Sequence, residues 1–205
     1  MISKLEFDHK ELLKDIVIEE DASKEWYLSD DYYAWYYTYG FVIKPKSIFE
    51  VGVRYGYSMV CMIKGAIDAG VVPELVIGID NEEDHGGSNT AALQSLNSLF
   101  PEINVQLITK NVYRGLPKID HKFDLIHIDA AHHVYPTIHH LDQAYRMLNP
   151  GGYIVIDDMG SKITYGISSD TCHKAVQDFL LYRFRECKQY AYINNFRGHV
   201  ILQVP

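Results

Sequence analysis

The chain has 205 residues, 47% hydrophobic and 22% charged, and its 19 basic and 27 acidic side chains give a formal charge of -8. That length suits one α/β domain with a full core, and no apolar run approaches the roughly 20 residues that span a bilayer. An acidic balance without a basic run disfavours nucleic acid as a partner.

The N-terminus lacks the basic-then-apolar pattern of a secretion signal, and Cys61, Cys172 and Cys187 fall in no paired or metal-binding spacing. A cytoplasmic chain with reduced thiols is expected. Leu5, Leu12, Leu13, Ile16 and Val17 predict an amphipathic helix within residues 5–20. Both tryptophans, Trp26 and Trp35, and six of the 16 tyrosines then crowd into positions 26–39. Tyr32, Trp35, Tyr36 and Tyr39 recur at helical spacing, so one face can pack on the domain while another presents phenols to a cleft. Core packing or a homodimer contact is the plainer alternative. Residues 1–40 are read as a helical, aromatic lid segment and residues 41–205 as the main domain.

Ser47-Ile-Phe-Glu-Val-Gly-Val-Arg-Tyr-Gly-Tyr-Ser-Met59 predicts a buried strand, a tight turn at Gly52 and Gly56, and a helix that Ser58 can cap. A dinucleotide fingerprint would need glycine where Arg54 and Tyr57 stand, which argues against an NAD-dependent oxidoreductase. Leu75 to Asp80 reads as a second parallel strand ending in an acid able to accept both ribose hydroxyls. A loop, a helix capped by Ser88, and a third strand over 104–109 follow. Phe123 to Asp129 is the fourth strand. A helix carrying Val134, Ile138, Leu141, Tyr145 and Leu148 stops at Asn149-Pro-Gly-Gly152, and Tyr153 to Asp158 is the fifth strand. His139, Gln143 and Arg146 are placed on the wet side of that helix. Gly160 to Ser169 reads as a polar insertion, Asp170 to Phe184 as a helix, and the last two strands as an antiparallel hairpin around Gly198.

Adjacent parallel strands put Asp129, Asp157 and Asp158 at one carboxyl edge. Three like charges there ask for protons or a cation, and oxygen ligands suit Mg²⁺ better than zinc. His132, in the turn after Asp129, is the candidate general base because histidine accepts protons near neutral pH.

The E-x-G-x-x-x-G run from Glu50 to Gly56 resembles the first motif of class I S-adenosylmethionine-dependent methyltransferases. The acid-ended fourth strand, the His132-His-Val-Tyr135 turn, the helix and the Leu148-Asn-Pro-Gly-Gly152 return resemble small-molecule O-methyltransferases that tailor sugars and antibiotics. The resemblance implies an α/β, Rossmann-like, seven-stranded, mostly parallel sheet with an antiparallel last strand and helices on both faces. It implies S-adenosylmethionine held by Glu50 at its ammonium, by Gly52, Gly56, Tyr57 and Ser58 of the loop, by Asp80 at the ribose, by Asn111 near adenine, and by Asp129. It also implies Mg²⁺ on Asp129, Asp157 and Asp158, catalysis by His132 and Asp129, and a small hydroxylated acceptor. A non-catalytic, regulatory module of the same fold is the competing reading.

Overall fold

A computed structural model describes residues 2–16, 32–82, 86–130, 132–159, 170–182, 187–193 and 197–205. Trp26, Tyr27, the Gly160 to Ser169 insertion and the end of the helix expected to reach Phe184 lie outside the described residues. Near the N-terminus only a short helix, α1 (His9–Leu13), is present among the described residues, started by Asp8, whose carboxylate accepts from the Glu11 amide. It is followed by α2 (Tyr32–Ile43), β1 (Ser47–Val51), α3 (Tyr57–Asp68), β2 (Leu75–Asp80), α4 (Ser88–Leu99), β3 (Asn104–Thr109) and β4 (Phe123–Ile128). The rest comprises α5 (Val134–Met147), β5 (Leu148–Ile156), α6 (Asp170–Tyr182), β6 (Lys188–Ile193) and β7 (His199–Gln203).

The seven strands form one sheet in the order β3-β2-β1-β4-β5-β7-β6, parallel except for β7, which pairs antiparallel with both β5 and β6. The strand order reverses direction between β1 and β4, and open α/β sheets bind ligands outside the strand ends at such a point. Side chains alternate faces along each strand. Ile48, Leu125, Val155 and Ile201 therefore join the core under α2, α3 and α4. Phe49, Val51, Ile126, Ile128, Ile154, Ile156, Val200 and Leu202 join the core under α5 and α6. Each fully buried side chain of this size contributes about 1.5–3 kcal/mol.

Three local expectations change. Ser58 does not cap α3: Gly56, in a left-handed conformation, is the N-cap, and the Ser58 hydroxyl donates to Glu50 instead. Gly87 plays the same part before α4, and Ser88 is the first residue of that helix. The Asn149-Pro-Gly-Gly152 return does not precede β5 but lies inside it, because Leu148 already pairs with Phe123 before a register shift.

The aromatic helix α2 is built into the core. Tyr32, Tyr33, Tyr36, Tyr37 and Tyr39 are buried, Trp35 is half-buried, and Phe7 stacks on Tyr37 with centroids 3.7 Å apart.

Candidate functional site at the carboxyl edge

The turn after β1 is shaped by two constraints. Gly52 has φ +92°, and a Cβ there would lie 2.0 Å from the Asp129 carbonyl oxygen, so only glycine lets the ends of β1 and β4 close together. Arg54 is also left-handed, at φ 50°, and this turns its amide onto the Asp80 carboxylate at 2.9 Å. Asp80 thus braces the glycine loop, while its other oxygen accepts from the Glu82 amide.

A cleft opens here, lined by Gly52, Gly56, Tyr57, Ser58 and Asp129, with Tyr32 and Tyr33 of α2 opposite. Five of the predicted site residues therefore share one wall. Asp80 joins them only through the Arg54 amide, and Asn111 does not line the cleft. The Asn111 side-chain oxygen accepts from the Tyr113 amide at 2.9 Å.

Behind the cleft, alternation along four neighbouring strands sends a row of polar side chains to the α2 face. Glu50 on β1 is fully buried; its Oε1 accepts from Ser58 and from His127 Nδ1 at 2.7 Å, and its Oε2 has no hydrogen-bond partner among the described residues. Burial by itself would lower the His127 pKa, but the Glu50 contact raises it above its ordinary value. Asp157, just past β5, is 1% exposed and accepts from the Tyr32 hydroxyl and from the Tyr36 hydroxyl at 3.0 Å. His199 Nε2 lies 3.2 Å from its other oxygen, and Tyr39 is hydrogen-bonded to His199 Nδ1 at 2.7 Å. Burial pushes the Asp157 pKa upward, yet His199, Arg197 and the Tyr32 hydrogen bond outweigh it and hold Asp157 well below the usual carboxylate range. Burial and the nearby Asp157 charge push the Tyr32 and Tyr36 phenols far above their ordinary value, so they act as donors.

Asp158, the next residue, points elsewhere. It is left-handed at φ 59° and is gripped in two-pronged fashion by Arg197 through Nε and Nη2. Its Oδ2 also lies 2.8 Å from His132 Nε2, which is 3.2 Å from Asp129 Oδ1. Burial disfavours charge on His132, but the two carboxylates override it and push its pKa up to about 10. A raised pKa keeps His132 protonated near neutral pH, which weighs against the general-base role expected for it.

The magnesium expectation meets a similar obstacle. Asp129, His132 and Asp158 bring one donor atom each within 4.8 Å of one another, as do His127, Asp129 and Asp157, but among the described residues no such group contains all three acids. Asp157 and Asp158 are directed to different partners, and Asp158 is already matched by a guanidinium. Mg²⁺ needs several oxygens in near-octahedral order, and these residues do not fit it.

Some residues with a part in the site carried no separate expectation: His127, Arg197 and His199. Their common signal is parity, because His127 lies two residues before Asp129 on β4, and His199 two before Ile201 on β7. Gln143, expected on the wet side of α5, instead accepts from the Leu116 amide at 2.7 Å.

The model of a methyltransferase domain matches residues 49–159. No curated protein sequence matches the chain. Among solved structures, the chain resembles the methyltransferase PaMTH1 of Podospora anserina bound to SAH (TM-score 0.66, 18% identity, 96% of this chain and 86% of that one). It also resembles a Bacillus cereus O-methyltransferase in complex with SAH (TM-score 0.65, 14% identity, 96% of each chain). A third is the O-methyltransferase TomG of Streptomyces achromogenes, involved in tomaymycin synthesis, in complex with SAM (TM-score 0.57, 16% identity, 95% of each chain). Because the family match runs over more than half of the chain, from within β1 to just past β5, the chain belongs to the methyltransferase domain family and has the fold of the class I S-adenosylmethionine-dependent methyltransferases.

Proposed function

We propose that the chain transfers a methyl group from S-adenosylmethionine to a hydroxyl oxygen of a small molecule. One observation supports this most: Glu50 keeps a buried carboxylate oxygen without a partner among the described residues, directly behind the glycine loop. An ammonium group would satisfy that oxygen, as the methionine end of the cofactor can. Gly52, Gly56, Tyr57 and Ser58 would hold the same end, Asp80 would accept the ribose hydroxyls, and Asn111 would lie toward the adenine.

When bound, the cofactor supplies a methyl group activated by a sulfonium. The protein's task is to orient the acceptor and receive its proton. The hydroxyl proton that methylation of the acceptor releases would pass to the Asp129 carboxylate, which lines the cleft. Protonated His132 fixes that carboxylate from the side. Such a positioned base is worth about 10²- to 10⁴-fold in rate, and orientation on the order of 7–11 kcal/mol at best. No step is assigned to magnesium, since Arg197 and His132 already lie against the three acids. The charge of -8 favours a small acceptor over nucleic acid, and among the described residues no helix is long and apolar enough to cross a membrane.

Calorimetric titration with S-adenosylhomocysteine tests the reading, followed by methyl transfer to a panel of phenols, sugars and hydroxylated polyketides. Saturable cofactor binding with turnover on at least one hydroxyl acceptor is expected. Absence of any binding heat at millimolar ligand would end it.

A further inference from the structure

A cluster of three acids beside a methyl-acceptor cleft needs positive charge, and this chain carries that charge itself. Arg197 stands in the turn just before β7, where the Gly198 carbonyl accepts from the Met159 amide at 2.9 Å and ties the turn to the end of β5. Its side chain is 2% exposed. The planar fork spans both oxygens of Asp158, the geometry for which arginine is suited and lysine is not. Its Nε is also 4.0 Å from Asp157 Oδ2. Asp158 Oδ2 is shared between Arg197 Nη2 and His132 Nε2, and the latter reaches on to Asp129. One guanidinium and one imidazole thus link all three acids in one charge network.

We propose that Arg197 occupies the place of a divalent cation at this edge, so that methyl transfer by this chain proceeds without a metal and Arg197 is the residue that positions Asp158, His132 and Asp129. A metal ion entering the Asp129–His132–Asp158 cluster would have to displace a buried guanidinium held by two hydrogen bonds, and stripping such a partner from a buried charge is costly. The left-handed backbone of Asp158 fits this assignment. It turns that carboxylate to Arg197, while the neighbouring Asp157 stays with the tyrosines of α2. Asp129 keeps its place in the cleft because His132, not a metal, steadies it. The inference rests on the methyl-transfer reading for its meaning, but its test does not use an acceptor.

The probe is Mn²⁺, followed by its electron paramagnetic resonance signal on titration of the full-length protein. The wild type should leave Mn²⁺ free. Arg197→Gln retains a hydrogen-bonding side chain and removes the charge, so Mn²⁺ affinity should rise by about tenfold or more, with S-adenosylhomocysteine binding retained as proof of folding. Wild-type Mn²⁺ binding that Asp129→Asn abolishes would overturn the proposal, as would a folded Arg197→Gln protein with no gain in Mn²⁺ affinity. Should Arg197→Gln not fold, the wild-type titration decides alone. Failure to bind S-adenosylhomocysteine would count against the methyl-transfer reading and leave the Mn²⁺ result to be read separately.

Discussion

Glu50 and His127 stand opposite each other in register on β1 and β4, both fully excluded from solvent, with His127 Nδ1 donating to Glu50 Oε1 at 2.7 Å. The pair leaves the second Glu50 oxygen without a hydrogen-bond partner among the described residues. Glu50→Gln keeps the shape and removes the charge. Hydrogen bonds to charged groups are worth about 1.5–3 kcal/mol, so S-adenosylhomocysteine affinity should fall by roughly 10- to 100-fold. Calorimetry reads this directly, and an unchanged dissociation constant would detach Glu50 from the cofactor.

Gly52→Ala is expected to be among the most damaging single-methyl additions in the chain. The new Cβ would meet the Asp129 backbone oxygen at 2.0 Å, and neither strand end can yield without breaking the Gly52 amide bond to the Ile79 carbonyl. The left-handed φ alone costs about 1–3 kcal/mol. A fall in thermal midpoint together with loss of cofactor binding is predicted, and a melting curve superimposable on the wild type would refute it.

Asp157 is predicted to matter for stability more than for chemistry. Asp157→Ala would strand His199 and the Tyr32 and Tyr36 hydroxyls without their carboxylate and cost about 3–5 kcal/mol. Tyr36→Phe removes only one donor to that carboxylate and should cost about 1.5–3 kcal/mol. Urea denaturation of the two variants should rank them in that order.

His132 gives a pH dependence whose sign follows from its raised pKa. Protonation is favoured more in the folded chain than in the unfolded one, so its contribution is complete below about pH 6.5 and is lost as pH rises through about 10. The stability difference between the wild type and His132→Gln should therefore shrink across that window. His127 and the tyrosines titrate in both proteins and cancel in the comparison. Parallel stability curves over the whole range would show that His132 is not held as a cation.

The succession of strands along the chain and the glycine loop were legible in the sequence because they are written as local signals: β-branched runs, acids at strand ends and glycines at forced turns. The acid cluster was legible only as three carboxylates at one edge. What sorted them was not local. Asp157 and Asp158 are adjacent in sequence, but Asp157 meets Tyr32 and Tyr36 from more than a hundred residues earlier, and Asp158 meets Arg197 from the opposite end of the chain. Likewise His132 looked like a base from its position in a turn, and only the proximity of two carboxylates to one ring nitrogen raises its pKa.

The Tyr32 and Tyr36 hydroxyls of α2 end on the Asp157 carboxylate just past β5, and this has a consequence for engineering. Acceptor range in a methyltransferase would ordinarily be sought by exchanging the segment that roofs the cleft. Here residues 32–43 cannot be transplanted as a neutral cassette, because a donor helix lacking hydroxyls at positions 32 and 36 would leave a charged side chain unsolvated in the sheet. Any chimera must either keep those two hydroxyls or remove Asp157 and His199 together with them.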